Sequence, residues 1–218
     1  SAGLYGVRAK LEAYERFIFE LLPFLHLLIV AAYCVLFSPV GTCETSCHNG
    51  FHTERFCRLR TLHREHMQER EQFKDDPLIS FKLGPHAIYT CGRDYLEFLI
   101  EKAKETKQEF HIHLSETLNE VKNCYKEHGK SPVEYLDELG FFDVKTAAAH
   151  CVHLSEHDMD ILAEKNVSVI HNPKSNLKLA NGIAPIPHLM EKNINICMGT
   201  DSQASNNTLN MFTEMNRS

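Results

Sequence analysis

From Ile79 to Asp201, short apolar runs recur at intervals that leave room for a helix, and they end on or just before His86, His113, His150, His171 and Asp201. The intervals are roughly 20 to 40 residues, the length of one strand, one crossover helix and the return. Strands separated by helices pair in parallel, so this pattern limits the chain to repeated βα units around a parallel sheet. A potential ligand at the carboxyl end of successive strands points further, to a barrel whose active site is built at that end.

Ile79 to Leu83 reads as a strand ending at Gly84-Pro85-His86. A helix follows from about Arg93 to Lys107, with Tyr95, Leu96, Leu99, Ile100 and Ala103 on one face. In Phe110 to Leu114, the apolar Phe110, Ile112 and Leu114 alternate with His111 and His113, so one face meets helices and the histidines face the barrel interior. A helix through Leu118, Val121 and Tyr125 comes next. Another is opened by Ser131-Pro132-Val133-Glu134, a capping box with proline at the first helical position, and stopped by Gly140. Thr146 to Cys151 and Val167 to Ile170 read as strands, and between them Ser155 caps a helix through Ile161 and Leu162. In the last strand, Ile194 to Met198, Ile194, Ile196 and Met198 share one face, while Asn195, Cys197, Gly199 and Asp201 share the other. The expected fold class is α/β.

The 218 residues can bury a sizeable core, and their net charge is -6. Phosphate recognition normally leaves a basic excess, so nucleic acid is excluded as a partner and a small-molecule substrate is expected. Eight cysteines in a chain of this length do not make the dense framework of a secreted scaffold, which favours reduced thiols and a cytoplasmic location. Nothing in the sequence speaks for a particular oligomeric state.

Composition divides the chain. Residues 1–74 contain no Asp, seven of the nine Arg and half of the cysteines (Cys34, Cys43, Cys47, Cys57), whereas from Asp75 onward Asp is regular and Lys is the main base. Residues 1–74 are therefore read as an atypical Arg- and Cys-rich segment, opening with a barrel-like strand and otherwise disordered or out of frame, and residues 75–218 as the barrel portion. Leu21 to Phe37 is a nearly unbroken apolar run. Glu20, Pro23, His26 and its marginal length speak against a membrane span. Cys43, Cys47, His48, His52 and Cys57 match no strong zinc spacing.

At the strand ends, His113 and Asp201 are the residues chosen as ligands of a divalent metal such as zinc, which takes imidazole and carboxylate donors and leaves a position for water. Glu116, just beyond the same strand as His113, is suited to carry a proton. Each residue also has a bland reading. A lone His is often a hydrogen-bonded core group, an Asp after Gly-Thr a turn residue, a Glu at a helix start a response to the dipole, and His86 after Gly-Pro part of a turn. Their coincidence at one end of successive strands favours a site.

Leu83 to Met215 resembles the amidohydrolase superfamily, and within it the 5-methylthioadenosine/S-adenosylhomocysteine deaminases. The resemblance is carried by GPHAIYTC (84–91), HIHLSET (111–117), AAHCVHLS (148–155), HNPKSNLKLANGIAPI (171–186) and GTDSQASNN (199–207). It implies an incomplete TIM (β/α)8 barrel, strands three to eight, with Leu4 to Arg8 resembling the third. It implies that His113 and Asp201 bind the metal, that Glu116 binds the purine and shuttles a proton to the ring nitrogen, and that His86 binds substrate. His150 resembles a residue that orients the attacking water, and Asp201 also touches substrate and accepts the proton of that water. The implied reaction is hydrolytic deamination of an adenosine derivative, giving the inosine analogue and ammonia. Other amidohydrolases, of the guanine deaminase or triazine hydrolase type, stay open as alternatives.

The family's H-x-H pair on the first strand and its Glu after the second are not matched. The chain is therefore expected to begin inside the barrel and to end just after the eighth-strand motif. Two remaining ligands would hold a metal weakly, so the isolated chain is expected to be inactive. The second hypothesis is a truncated, non-catalytic barrel.

Overall fold

Alternate residues along the strands separate into two faces, and the helices cover one of them. The structure, a computed structural model, describes residues 67–217 apart from 69, 77 and 78. Among these, β1 (Phe110–Leu114), β2 (Thr146–His150), β3 (Ser168–His171) and β4 (Ile196–Met198) form one sheet in the order β1-β2-β3-β4. Every pairing is parallel. Spatial order follows chain order and βαβ crossovers are right-handed, so the connecting helices fall on the same side of the sheet. A doubly wound sheet reverses its strand order to place helices on both sides. This one does not, and it forms an arc of barrel wall: an incomplete (β/α)8 barrel.

The outward residues make the main core. Phe110, Ile112 and Leu114 are fully buried, with Ala148 and Val169 beside them. Helix α1 (Arg93–Thr106) adds Leu96, Leu99, Ile100 and Ala103, the face expected from the sequence, and Lys107 ends it in the left-handed conformation. Phe141 stacks on Phe110 with ring centroids 4.1 Å apart. The opposite face holds a smaller cluster of Ala147, Ala149 and Ile170, with Cys197 packed against it.

Helices α2 (Leu118–His128), α3 (Pro132–Glu138) and α4 (Glu156–Glu164) begin where capping chemistry allows. Ser131 and Glu134 form the expected capping box. Ser155 caps α4 and forms a second box with Asp158. The Ser131 hydroxyl also donates to Asp158, which ties the starts of α3 and α4 together. Further helices among the described residues are α5 (Pro173–Lys178), α6 (Ile186–Glu191) and α7 (Met211–Met215).

The strand expected over Ile79 to Leu83 is reduced to one bridge, Leu83 to Phe110. That register sets residues 79–82 ahead of the first residue of β1, where there is no strand to pair with. Pro85 then lacks the N–H a ladder would need. Backbone pairing resumes only where the His113 N–H donates to the His86 carbonyl at 2.9 Å. No described helix is long and apolar enough to cross a membrane. The apolar run Leu21 to Phe37, the strand-like Leu4 to Arg8 and the cysteine and histidine cluster from Cys43 to Cys57 lie outside the described residues.

Candidate active site

The strand exits are sharply bent. Ser115, His150, Cys151 and Asp201 take positive φ values of 49°, 74°, 48° and 58°. For residues other than glycine, such conformations cost roughly 1–3 kcal/mol each and persist where the surroundings impose them. At the exit of β4 the chain passes so close to β3 that a Cβ on Gly199 would lie 2.8 Å from both Asn172 Nδ2 and Ile170 Cγ2. Glycine is required there for close approach.

These bends gather polar side chains at one end of the sheet. His113 Nδ1 and His150 Nε2 are 2.9 Å apart, and His150 Nδ1 lies 2.8 Å from Asn176 Oδ1. His150 Nε2 is 3.8 Å from Glu116 Oε2. Candidate ligand atoms of His113, Glu116 and His150 all lie within 4.8 Å of one another. The His86 ring packs on His113 with centroids 4.8 Å apart, and its Nδ1 is 3.1 Å from the Thr90 hydroxyl. Burial, reinforced by the neighbouring His150 and His86, pushes the His113 pKa down to about 3. Burial also lowers His86, against the opposing charges of Glu116 and Asp201. His113 is thus a neutral imidazole at neutral pH, the form that can ligate a metal.

Glu116 is held from two sides. Its Oε1 accepts from Asn181 Nδ2 at 2.8 Å, and its backbone N–H donates to Glu120 Oε2 at 2.8 Å. Glu120, itself buried, also accepts the Ser115 N–H at 3.0 Å. Burial raises the Glu120 pKa in spite of these amides.

Asp201 is fixed separately. The Ser175 and Ser205 hydroxyls both donate to Oδ2 at 2.5 Å, and the Ser202 N–H donates to Oδ1 at 2.7 Å. Burial alone would raise its carboxyl pKa, but the two hydroxyls, the neighbouring His150 and the Ser202 amide together lower it. Asp201 stands outside the three-residue group of closest ligand atoms, although its charge is felt by both His113 and His86.

Of the strand-end residues singled out from the sequence, the fold therefore joins His113, Glu116 and His150 directly and sets His86 against them. His171 is also buried, and its Nδ1 has no hydrogen-bond partner among the described residues. The residues that hold the group in place, Ser175, Asn176, Asn181, Ser205 and Glu120, were not assigned roles from the sequence. All but Glu120 lie inside the motif strings quoted above. Thr117 and Glu120 have capping-box spacing: the Thr117 hydroxyl accepts the Glu120 N–H, and the Glu120 carboxylate reaches back to the Ser115 and Glu116 amides.

The donors suit a divalent cation such as zinc. They are imidazole nitrogens and carboxylate oxygens, and Oδ1 of Asp201 accepts a single hydrogen bond among the described residues, which leaves it capacity as a ligand.

Comparison with known proteins agrees. A sequence model described as "Amidohydrolase family" matches residues 4–218. The chain is 52% identical over 142 residues to a 5-methylthioadenosine/S-adenosylhomocysteine deaminase of Thermoanaerobacter pseudethanolicus, a match covering 65% of this chain and 33% of that protein. It is 50% identical over 134 residues to a 5'-deoxyadenosine deaminase of Methanocaldococcus jannaschii, covering 61% of this chain and 32% of the relative. The chain thus spans about a third of the length of the curated relatives it matches. Among solved structures it resembles an adenosine deaminase from Xanthomonas campestris with bound zinc, with a TM-score of 0.65 and 38% identity, covering 74% of this chain and 35% of that one. A guanine deaminase from C. acetobutylicum, at 23% identity and a TM-score of 0.68 over 73% of this chain and 39% of that one, shares the fold.

Proposed function

The chain belongs to the amidohydrolase family, and from that premise we propose that its described residues form the later-strand part of the active site of a metal-dependent aminohydrolase. The reaction is replacement of the amino group of an adenosine derivative, 5-methylthioadenosine or S-adenosylhomocysteine, by the oxygen of water, with loss of ammonia. The observation that carries this reading is the meeting of His113, Glu116 and His150 within 4.8 Å at the strand ends. The names of the relatives at about 50% identity support the substrate class. The guanine deaminase and triazine hydrolase structures that the chain resembles are 23% and 21% identical to it, a likeness that supports the fold and not those substrates.

His113 and Asp201 would hold the metal, with zinc the ion of choice for these donors. Bound zinc supplies Lewis acidity and makes water nucleophilic near neutral pH. Asp201 accepts the proton of the attacking water. Glu116, anchored through Oε1 by Asn181, keeps Oε2 to carry a proton to the purine ring nitrogen beside the amino-bearing carbon. His150 would orient the water by turning its Nε2, 2.9 Å from His113 Nδ1 in this structure, to the water instead, and His86 contacts the substrate. A small-molecule substrate and a cytoplasmic location belong to the same proposal.

The test is ammonia release from 5-methylthioadenosine, S-adenosylhomocysteine and 5'-deoxyadenosine, by this chain and by any longer product of the same coding region, with zinc or with chelator. The longer form is expected to release ammonia and to stop when chelated, and the 218-residue form to be inactive. Release from guanine and from none of the adenosine derivatives would overturn the substrate class.

A further inference from the structure

We infer that Asn176 is a positioning residue: its side-chain oxygen fixes the tautomer of His150 and, through it, that of His113. Asn176 and His150 are 1% and 0% exposed, so water does not compete for either side chain. Asn176 Oδ1 lies 2.8 Å from His150 Nδ1, and a carbonyl oxygen only accepts, so the proton of a neutral His150 sits on Nδ1. His150 Nε2 is then an acceptor. Its partner at 2.9 Å, His113 Nδ1, must donate, and this leaves the lone pair of His113 on Nε2.

A second observation singles out the oxygen. The Asn176 Nδ2 amide is buried and has no hydrogen-bond partner among the described residues. An unpaired buried donor is costly, so this side chain is kept for what its carbonyl does. The neighbouring sequence works the same way. From residue 175 to 181 the chain sends Ser175 to Asp201, Asn176 to His150 and Asn181 to Glu116. With the amide reversed, Nδ2 would donate to His150 Nδ1. The proton would move to His150 Nε2 and, in turn, onto His113 Nε2, which would deprive that nitrogen of its lone pair.

The consequence for metal binding rests on the reading above that His113 is a ligand; the tautomer assignment does not. Long-range proton–nitrogen NMR on the 15N-labelled, metal-free chain reads both rings directly. Wild type is expected to show His150 and His113 protonated at Nδ1 and bare at Nε2. Asn176→Leu keeps the volume but removes the acceptor. It should let the Nε2–H form of His150 appear and weaken zinc binding, measured by chelator competition, by roughly tenfold to a hundredfold, as loss of a partner behind a ligand typically does. Asn176→Asp keeps an acceptor oxygen and should keep the Nδ1 proton. His150 bare at Nδ1 in wild type would overturn the inference. So would unchanged ring signals in folded Asn176→Leu, since a residue of purely structural importance would lower thermal stability and leave the tautomers alone. If Asn176→Leu does not fold, the wild-type and Asn176→Asp spectra decide. The expected tautomers together with no zinc binding in wild type would remove the metal reading and leave the tautomer inference standing.

Discussion

The two sides of the sheet follow different rules. On the helix side, Phe110, Ile112, Leu114, Ala148 and Val169 are apolar and buried against a continuous core. On the inner side and at the strand exits are histidines, bent backbone and several buried atoms without hydrogen-bond partners among the described residues: His111 Nδ1, Ser115 Oγ, His171 Nδ1, Asn172 Oδ1 and Asn176 Nδ2. Each unpaired buried group costs on the order of 1–3 kcal/mol. Such groups persist because close packing on the other side outweighs them. The difference teaches that stability and chemistry in this chain are carried by opposite faces of the same strands.

Substitutions can break that division. The largest effect is expected from His113→Ala, which should lower zinc-dependent ammonia release by the active form at least about a thousandfold, on the order of 4 kcal/mol of transition-state stabilisation. The thermal midpoint should hardly move; a protein that loses both together would show the inner face to be structural. Next comes Phe110→Ala, which removes a fully buried ring stacked on Phe141. Urea unfolding should register a loss of about 3–5 kcal/mol. A loss below about 1 kcal/mol would mean that the helix side does not dominate stability.

Acid sharpens the contrast. Burial, aided by Lys82 and His150, pushes the His111 pKa down to about 4. The unfolded value is about 6.5, so between the two values the unfolded chain binds a proton that the folded chain does not, and stability falls as pH falls through this window. From pH 7.5 to pH 5 this group should contribute a loss of roughly 2 kcal/mol, and the urea midpoint of His111→Phe should lack that component. The smallest effect belongs to Ser131→Ala on the helix side. Loss of the cap and of the hydroxyl bond to Asp158 should cost about 1–2 kcal/mol in thermal or urea unfolding, with unchanged turnover per folded molecule.

How much could be read in advance depended on the range of each interaction. The alternation in Phe110–Leu114 and the box at Ser131-Pro132-Val133-Glu134 are local patterns, and both appear where the sequence placed them. The strand over Ile79 to Leu83 did not, because its pairing depended on where β1 begins, a distant fact. The holding residues were hidden for the same reason. Asn176 meets His150, Ser175 meets Asp201 and Asn181 meets Glu116 across 26, 26 and 65 residues of chain.

The sequence by itself determined the α/β class, the inward register of His111 and His113 and the placing of His113, His150 and Asp201 at strand exits, because strand periodicity and helix caps act over a few residues. Only the tertiary structure decided which of them touch. It joined His113, Glu116 and His150, kept Asp201 apart under its own serines and put Asn176 behind His150. Contacts between strand ends follow from how parallel strands register and how tightly each exit turns, and both are settled only when the whole sheet packs.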